Sequence, residues 1–124
     1  EGSGGERQMV MIARALAQNA DLLVMDEPTT HLDYGNETRV LSQVKKLSGL
    51  GYTIVMITHV PDHAFLYASK VLAVGKGDYF AMGAPEAILT EAGLASLYGV
   101  DIQLAEVTSK RDQRQVKICL PMTI

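Results

Sequence analysis

Two adjacent carboxylates, Asp26 and Glu27, follow the continuous apolar run Leu22-Leu23-Val24-Met25. An acidic pair delivered by a buried strand at its C-terminal end sits where open α/β sheets bind ligands. There one carboxylate can hold Mg²⁺, directly or through water, and its neighbour can polarise a water for attack on phosphorus. The same pair is also compatible with a solvated strand-to-turn junction. His59 stands just past a second apolar run, Thr53-Ile54-Val55-Met56-Ile57-Thr58. An imidazole there can hydrogen-bond a terminal phosphate or a catalytic water, or be an ordinary exposed histidine. At the start of the chain, Ser3-Gly4-Gly5-Glu6 has the form of a capping box. A helix N-terminus attracts phosphate through its unpaired N–H groups, and glycines there let an anion approach the backbone. A capped helix after a flexible loop accounts for the same residues. His31 falls in a turn and His63 early in a short helix. No histidine pair spaced i, i+4 comes with a third ligand in view, so a zinc site is not expected.

The elements that must position these groups follow from the apolar spacing. Met9, Ile12, Ala13, Leu16 and Ala17 share one face of a helix that begins at Ser3 and stops near Asn19. Leu22 to Met25 reads as a buried strand, ended by Pro28. A second helix is predicted from about Tyr34 to Ser48, capped by Asp33, with Val40, Leu41, Val44 and Leu47 inward and Gly49 and Gly51 closing it. Thr53 to Thr58 is a second buried strand, and Pro61-Asp62 opens a short helix through Ala68. Val71–Val74 and Tyr79–Met82 flank Gly75-Lys76-Gly77-Asp78, which predicts a hairpin. Ala84-Pro85-Glu86 starts a helix, a further short one ends at Tyr98, and the weak alternation on either side of Thr108 to Gln115 predicts a terminal hairpin. Two buried strands, each followed by a helix, give an α/β fold with a sheet that is parallel at its centre, antiparallel additions and flanking helices. There is no internal repeat and no linker long enough to mark a second domain.

Bulk properties narrow the function classes. The 124 residues are enough for one domain with a real core, and 48% of them are apolar. A formal net charge of −3 provides no broad basic field for nucleic acid. The single cysteine, Cys119, supports neither an intrachain disulfide nor a cysteine metal cluster, and a reducing compartment fits it best. The apolar runs are strand-length, far short of the roughly 20 residues of a membrane span. No charged-then-apolar leader precedes the first helix. Because residue 1 is a glutamate inside a motif, the chain is expected to be cut from something longer.

Order and spacing join the separate signals. GSGGERQ, then an apolar strand ending LLVMDEPTTHLD, then a strand ending TIVMITH, resembles the ATP-binding subunits of ABC transporters, over Ser3 to about Tyr98. In that family these are the signature motif, the Walker B strand with its glutamate and D-loop, and the switch histidine. The resemblance implies a partial P-loop NTPase fold with ATP and Mg²⁺ as ligands. Ser3, Gly4 and Gly5 would contact the γ-phosphate of a nucleotide held by a second nucleotide-binding subunit in a head-to-tail dimer. Asp26 would bind Mg²⁺ through water, and Glu27 would orient or deprotonate the attacking water. Asp33 would sit at the dimer interface near that water, and His59 would hold or sense the γ-phosphate. Transmembrane permease subunits are the other implied partners, with the protein peripheral to the membrane on its cytoplasmic side. THVPDHAFLYASKV and LTEAGLASLYGVDIQL resemble the branch that serves metal-chelate importers (iron–siderophore, haem, cobalamin).

The chain departs from the family at Gly2, where a bulky apolar residue is usual, and at Val60, where aspartate commonly follows the histidine. Neither position carries the chemistry. The larger departure is the absence of G-x-x-x-x-G-K-[ST], the phosphate-cradling loop. The sole Gly-Lys pair, Gly75-Lys76, is followed by Gly77 and preceded at the needed distance by Lys70. The chain therefore resembles the C-terminal half of a nucleotide-binding domain, spanning residues 1–124, and by itself is expected neither to bind nor to hydrolyse ATP. Two other classes share parts of this pattern. The ABC-type head of a DNA-repair or chromosome-maintenance ATPase would bring heptad-rich coiled coils and clustered basic residues, and neither occurs here. A non-catalytic interaction module would not need Glu27 and His59.

Overall fold

A computed structural model of the chain describes residues 21–77 and 79–123. The expected first helix and its Ser3, Gly4 and Gly5 lie outside the described residues, as does Asp78 of the first hairpin turn. The described residues form two compact units divided between His59 and Val60. No linker separates them, because Pro61 opens a helix one residue after Val60.

The first unit is a β–α–β crossover: β1 (Leu22–Asp26), α1 (Tyr34–Gly49) and β2 (Thr53–Ile57). β1 and β2 pair in parallel, with Leu22 opposite Thr53 and Asp26 opposite Ile57. A parallel pair needs a crossover connection, which the helix supplies. Alternation along β1 sends Leu23 and Met25 to one face, where they pack with Val44 and Leu47 of α1 and with the half-buried Tyr52, Ile54 and Met56. The four residues expected to face inward from α1, Val40, Leu41, Val44 and Leu47, are all buried. Fully burying each such side chain stabilises the fold by about 1.5–3 kcal/mol. Asp33 caps the helix as expected, its Oδ1 accepting the Asn36 N–H at 2.8 Å. The helix runs one residue further than expected, through Gly49, and Leu50 ends it by donating its N–H back to Lys46 and Leu47.

The second unit holds α2 (Pro61–Tyr67), β3 (Val71–Val74), β4 (Phe80–Gly83), α3 (Pro85–Ile88), α4 (Glu91–Tyr98), β5 (Ile102–Thr108) and β6 (Gln115–Pro121). β3 pairs antiparallel with β4, and β5 with β6, so both expected hairpins are present. Among the described residues each of these pairs is its own two-stranded sheet. β4 begins one residue later than the alternation suggested, since the Tyr79 carbonyl accepts the Gly75 N–H and so belongs to the turn. Ala64, Phe65, Leu89 and Leu94 form the core, flanked by Val71, Leu97, Ile102, Leu104 and Cys119 among others. α4 is capped by Thr90, whose hydroxyl accepts the Gly93 N–H, and ends at Gly99 in the left-handed conformation (φ 70°) that glycine adopts without strain.

Two carboxylates tie the terminal hairpin to the helices of its unit. Glu91 Oε2 accepts the Leu104 N–H at 2.8 Å, and Asp62 Oδ1 accepts the Cys119 N–H at 2.9 Å. Leu104 and Cys119 are register partners. Both outward N–H groups at that rung are thus satisfied, one on each edge of the hairpin.

Candidate functional site

The site is built at the C-terminal ends of β1 and β2. Asp26 is the last residue of β1, with its carboxylate exposed to solvent. Glu27 continues the ladder for one more bond, its N–H donating to the Ile57 carbonyl at 2.8 Å. It then leaves the strand with φ 48°, a left-handed conformation that costs a non-glycine residue about 1 kcal/mol or more. Pro28, fully buried, prevents continuation of the strand. The Thr30 N–H bonds back to the Glu27 carbonyl at 3.2 Å, closing the turn, and His31 has a second positive φ of 69°.

Parallel register determines what the turn meets. Because Asp26 lies opposite Ile57, the residues just beyond each strand end emerge together. His59 Nε2 lies 3.3 Å from Glu27 Oε2. Glu27 is partly shielded, with 39% of its side chain exposed, whereas His59 is 75% exposed. The pair is an ion pair only when the imidazole is protonated. The other carboxylate oxygen, Oε1, accepts a hydrogen bond from the Thr30 hydroxyl at 3.3 Å. A carboxylate held at both oxygens on an open strand end can orient a water, and an adjacent imidazole can donate to a phosphate oxygen.

Glu27 and His59 are therefore brought together, and Asp26 precedes Glu27 at the end of β1. Asp33 is engaged with its own helix as the N-cap, and Ser3, Gly4 and Gly5 lie outside the described residues. Thr30 escaped the sequence reading. The available signal was its spacing, since a hydroxyl three residues after an acid can reach back across a turn. The residues fit Mg²⁺ in one respect: it needs only one or two protein carboxylates, with waters and phosphate oxygens completing its shell, and Asp26 supplies one at a solvent-open position. No group of three or more His, Cys, Asp or Glu gathers into a metal cage among the described residues. Among the same residues, no helix is long and apolar enough to cross a membrane.

A family model described as ABC transporter matches residues 1–30, which include the acidic pair. An uncharacterized ABC transporter ATP-binding protein of Haemophilus influenzae is 40% identical over 102 residues, covering 82% of this chain and 39% of the relative. Over most of its length the chain is similar to the ABC transporter ATP-binding proteins. Within that family, the iron(3+)-hydroxamate import ATP-binding protein of Bacillus subtilis is 36% identical over 115 residues, covering 92% of this chain and 42% of the relative. A solved structure described as a metal-chelate type ABC transporter in an inward-facing conformation superposes with a TM-score of 0.88 at 32% identity, covering 98% of this chain and 48% of that one. The fold is thus an α/β portion of the ABC ATPase fold, with a parallel pair, antiparallel sheets and helices. This chain spans about two fifths of the length of these curated relatives.

Proposed function

We propose that this chain carries the water-activating part of an ATP hydrolysis site that powers import of a metal chelate across the cytoplasmic membrane. The observation that carries the reading is the Glu27–His59 contact at the joined ends of β1 and β2. Glu27 orients or deprotonates the attacking water, and His59 holds or senses the γ-phosphate. Asp26 would hold Mg²⁺ through water, and the ion would supply charge neutralisation at the phosphates. Ser3, Gly4 and Gly5 reach the nucleotide of a second nucleotide-binding subunit across a head-to-tail dimer, with Asp33 at the interface. Transmembrane permease subunits are the other partners, and the protein docks peripherally on the cytoplasmic side.

Two similarities support the cargo class. The Bacillus subtilis relative is named for iron(3+)-hydroxamate import, and the superposed transporter is described as metal-chelate type. The chain belongs to the C-terminal half of the nucleotide-binding domain, and without a phosphate-cradling loop it does not turn over ATP alone. The test is ATPase activity of the complete subunit that unites this chain with such a loop. Glu27→Gln lowers turnover by about 10²–10⁴-fold, the usual worth of a general base, while nucleotide binding persists. Undiminished turnover in that variant overturns the reading. Turnover by residues 1–124 alone overturns the assignment as an inactive half.

A further inference from the structure

We propose that Thr30 is a positioning residue for Glu27, holding one carboxylate oxygen so that the other faces His59 in a fixed geometry. The inference rests on the reading of Glu27 as the residue that activates water. Its basis is the division of the carboxylate between two partners, Oε1 to the Thr30 hydroxyl and Oε2 to His59 Nε2, each at 3.3 Å. A glutamate has three side-chain torsions, and one contact leaves the carboxylate free to rotate about it. A second contact at the opposite oxygen removes that freedom. The turn enforces the arrangement: the positive φ at Glu27 reverses the chain, and the Thr30 N–H to Glu27 carbonyl bond brings residue 30 back over residue 27. At 3.3 Å the hydroxyl contact is long for O–H···O, as catalytic hydrogen bonds often are before substrate tightens them.

Thr30 is exposed and its backbone closes the turn independently of its hydroxyl. Thr30→Val therefore keeps the β-branched shape and the turn but deletes the donor, and Thr30→Ser keeps the donor. In the complete subunit, Thr30→Val lowers kcat about 10-fold or more, as expected of a misaligned reacting group, with KM for ATP and the thermal midpoint unchanged. Thr30→Ser stays within about twofold of the parent. A Thr30→Val, Glu27→Gln double variant is no slower than Glu27→Gln, because a residue acting through Glu27 has nothing left to position. Unchanged kcat in Thr30→Val, failure of Thr30→Ser to restore it, or a further loss in the double variant overturns the proposal. If Glu27→Gln itself still turns over, the functional reading falls and this one with it. If Glu27→Gln is inactive and Thr30→Val is normal, only the Thr30 role falls.

Discussion

Leu104 and Cys119 face each other across the β5–β6 hairpin, and each donates its outward N–H to a carboxylate from a helix of the same unit. Glu91 lies thirteen residues from Leu104, and Asp62 lies fifty-seven from Cys119. An exposed strand edge invites pairing with another chain, and a charged acceptor at the rung blunts both edges at once. Deleting one partner exposes a donor that then needs water or a foreign strand. Asp62→Ala is expected to destabilise the second unit by about 1–3 kcal/mol, the usual cost of a lost charge-assisted bond, measured by urea unfolding of the chain.

The same aspartate governs the only thiol. Burial first, then the charge and hydrogen bond of Asp62, pushes the Cys119 thiol up from 9.0 to about 12. At pH 8 iodoacetamide should label Cys119 about 10–100-fold more slowly than free cysteine, the scarcer thiolate being partly offset by its greater nucleophilicity. Asp62→Asn should raise the rate. The folded state holds this proton more tightly than the unfolded one. Its contribution to stability is therefore complete below pH 9 and is lost as pH rises toward 12.

Asp33→Ala removes the side chain that accepts the Asn36 N–H and so leaves the α1 N-terminus uncapped. The expected loss is about 1 kcal/mol, read from the denaturant midpoint at constant slope. Asp33→Asn should recover most of it, because an amide oxygen caps as well. Equal losses in both variants would mean that the carboxylate charge, rather than the cap, supplies the stability.

Gly93 and Gly49 both lie in helices, and their alanine variants should move in opposite directions. A Cβ on Gly93 would clash with the Ile88 carbonyl oxygen, a backbone atom that cannot step aside. Gly93→Ala is expected to cost about 1–3 kcal/mol. At Gly49 a Cβ meets nothing within 4 Å and the backbone is helical. Gly49→Ala should stabilise the fold by about 0.4–1 kcal/mol through the unfolded chain. Thermal unfolding of the two variants in parallel distinguishes contact from entropy.

Val24 and Val55 are register partners on the face of β1–β2 turned away from α1, and they are 63% and 49% exposed. Leu22 and Ile57 lie on the same face, also exposed, which leaves an apolar sheet surface open to solvent. Such patches drive association. Light scattering after size exclusion should give residues 1–124 a mass above that of one chain. Val24→Lys with Val55→Lys should return it toward monomer; a clean monomer of the parent chain contradicts the expectation.

Much of the fold was legible because its causes are local. Continuous apolar runs marked β1 and β2, although only one face of the pair is buried; the 3.6-residue spacing named all four buried residues of α1, and the Asp33 cap was evident from its place before the helix. Boundaries moved by one residue where a backbone bond, such as Gly75 N–H to Tyr79, assigned a residue to the turn. The acidic pair and the histidine were legible as chemistry, each with an ordinary structural alternative.

The sequence by itself determined which groups stand at strand ends and which faces are apolar, since these depend on neighbours a few residues away. Only the tertiary structure decided that Glu27 meets His59, that Thr30 takes the other carboxylate oxygen, and that Asp62 caps Cys119. Those contacts depend on strand register, on a left-handed turn and on packing between distant segments. A polar atom reaching across a fold leaves no periodicity in the chain, so its partner emerges only when the backbone closes.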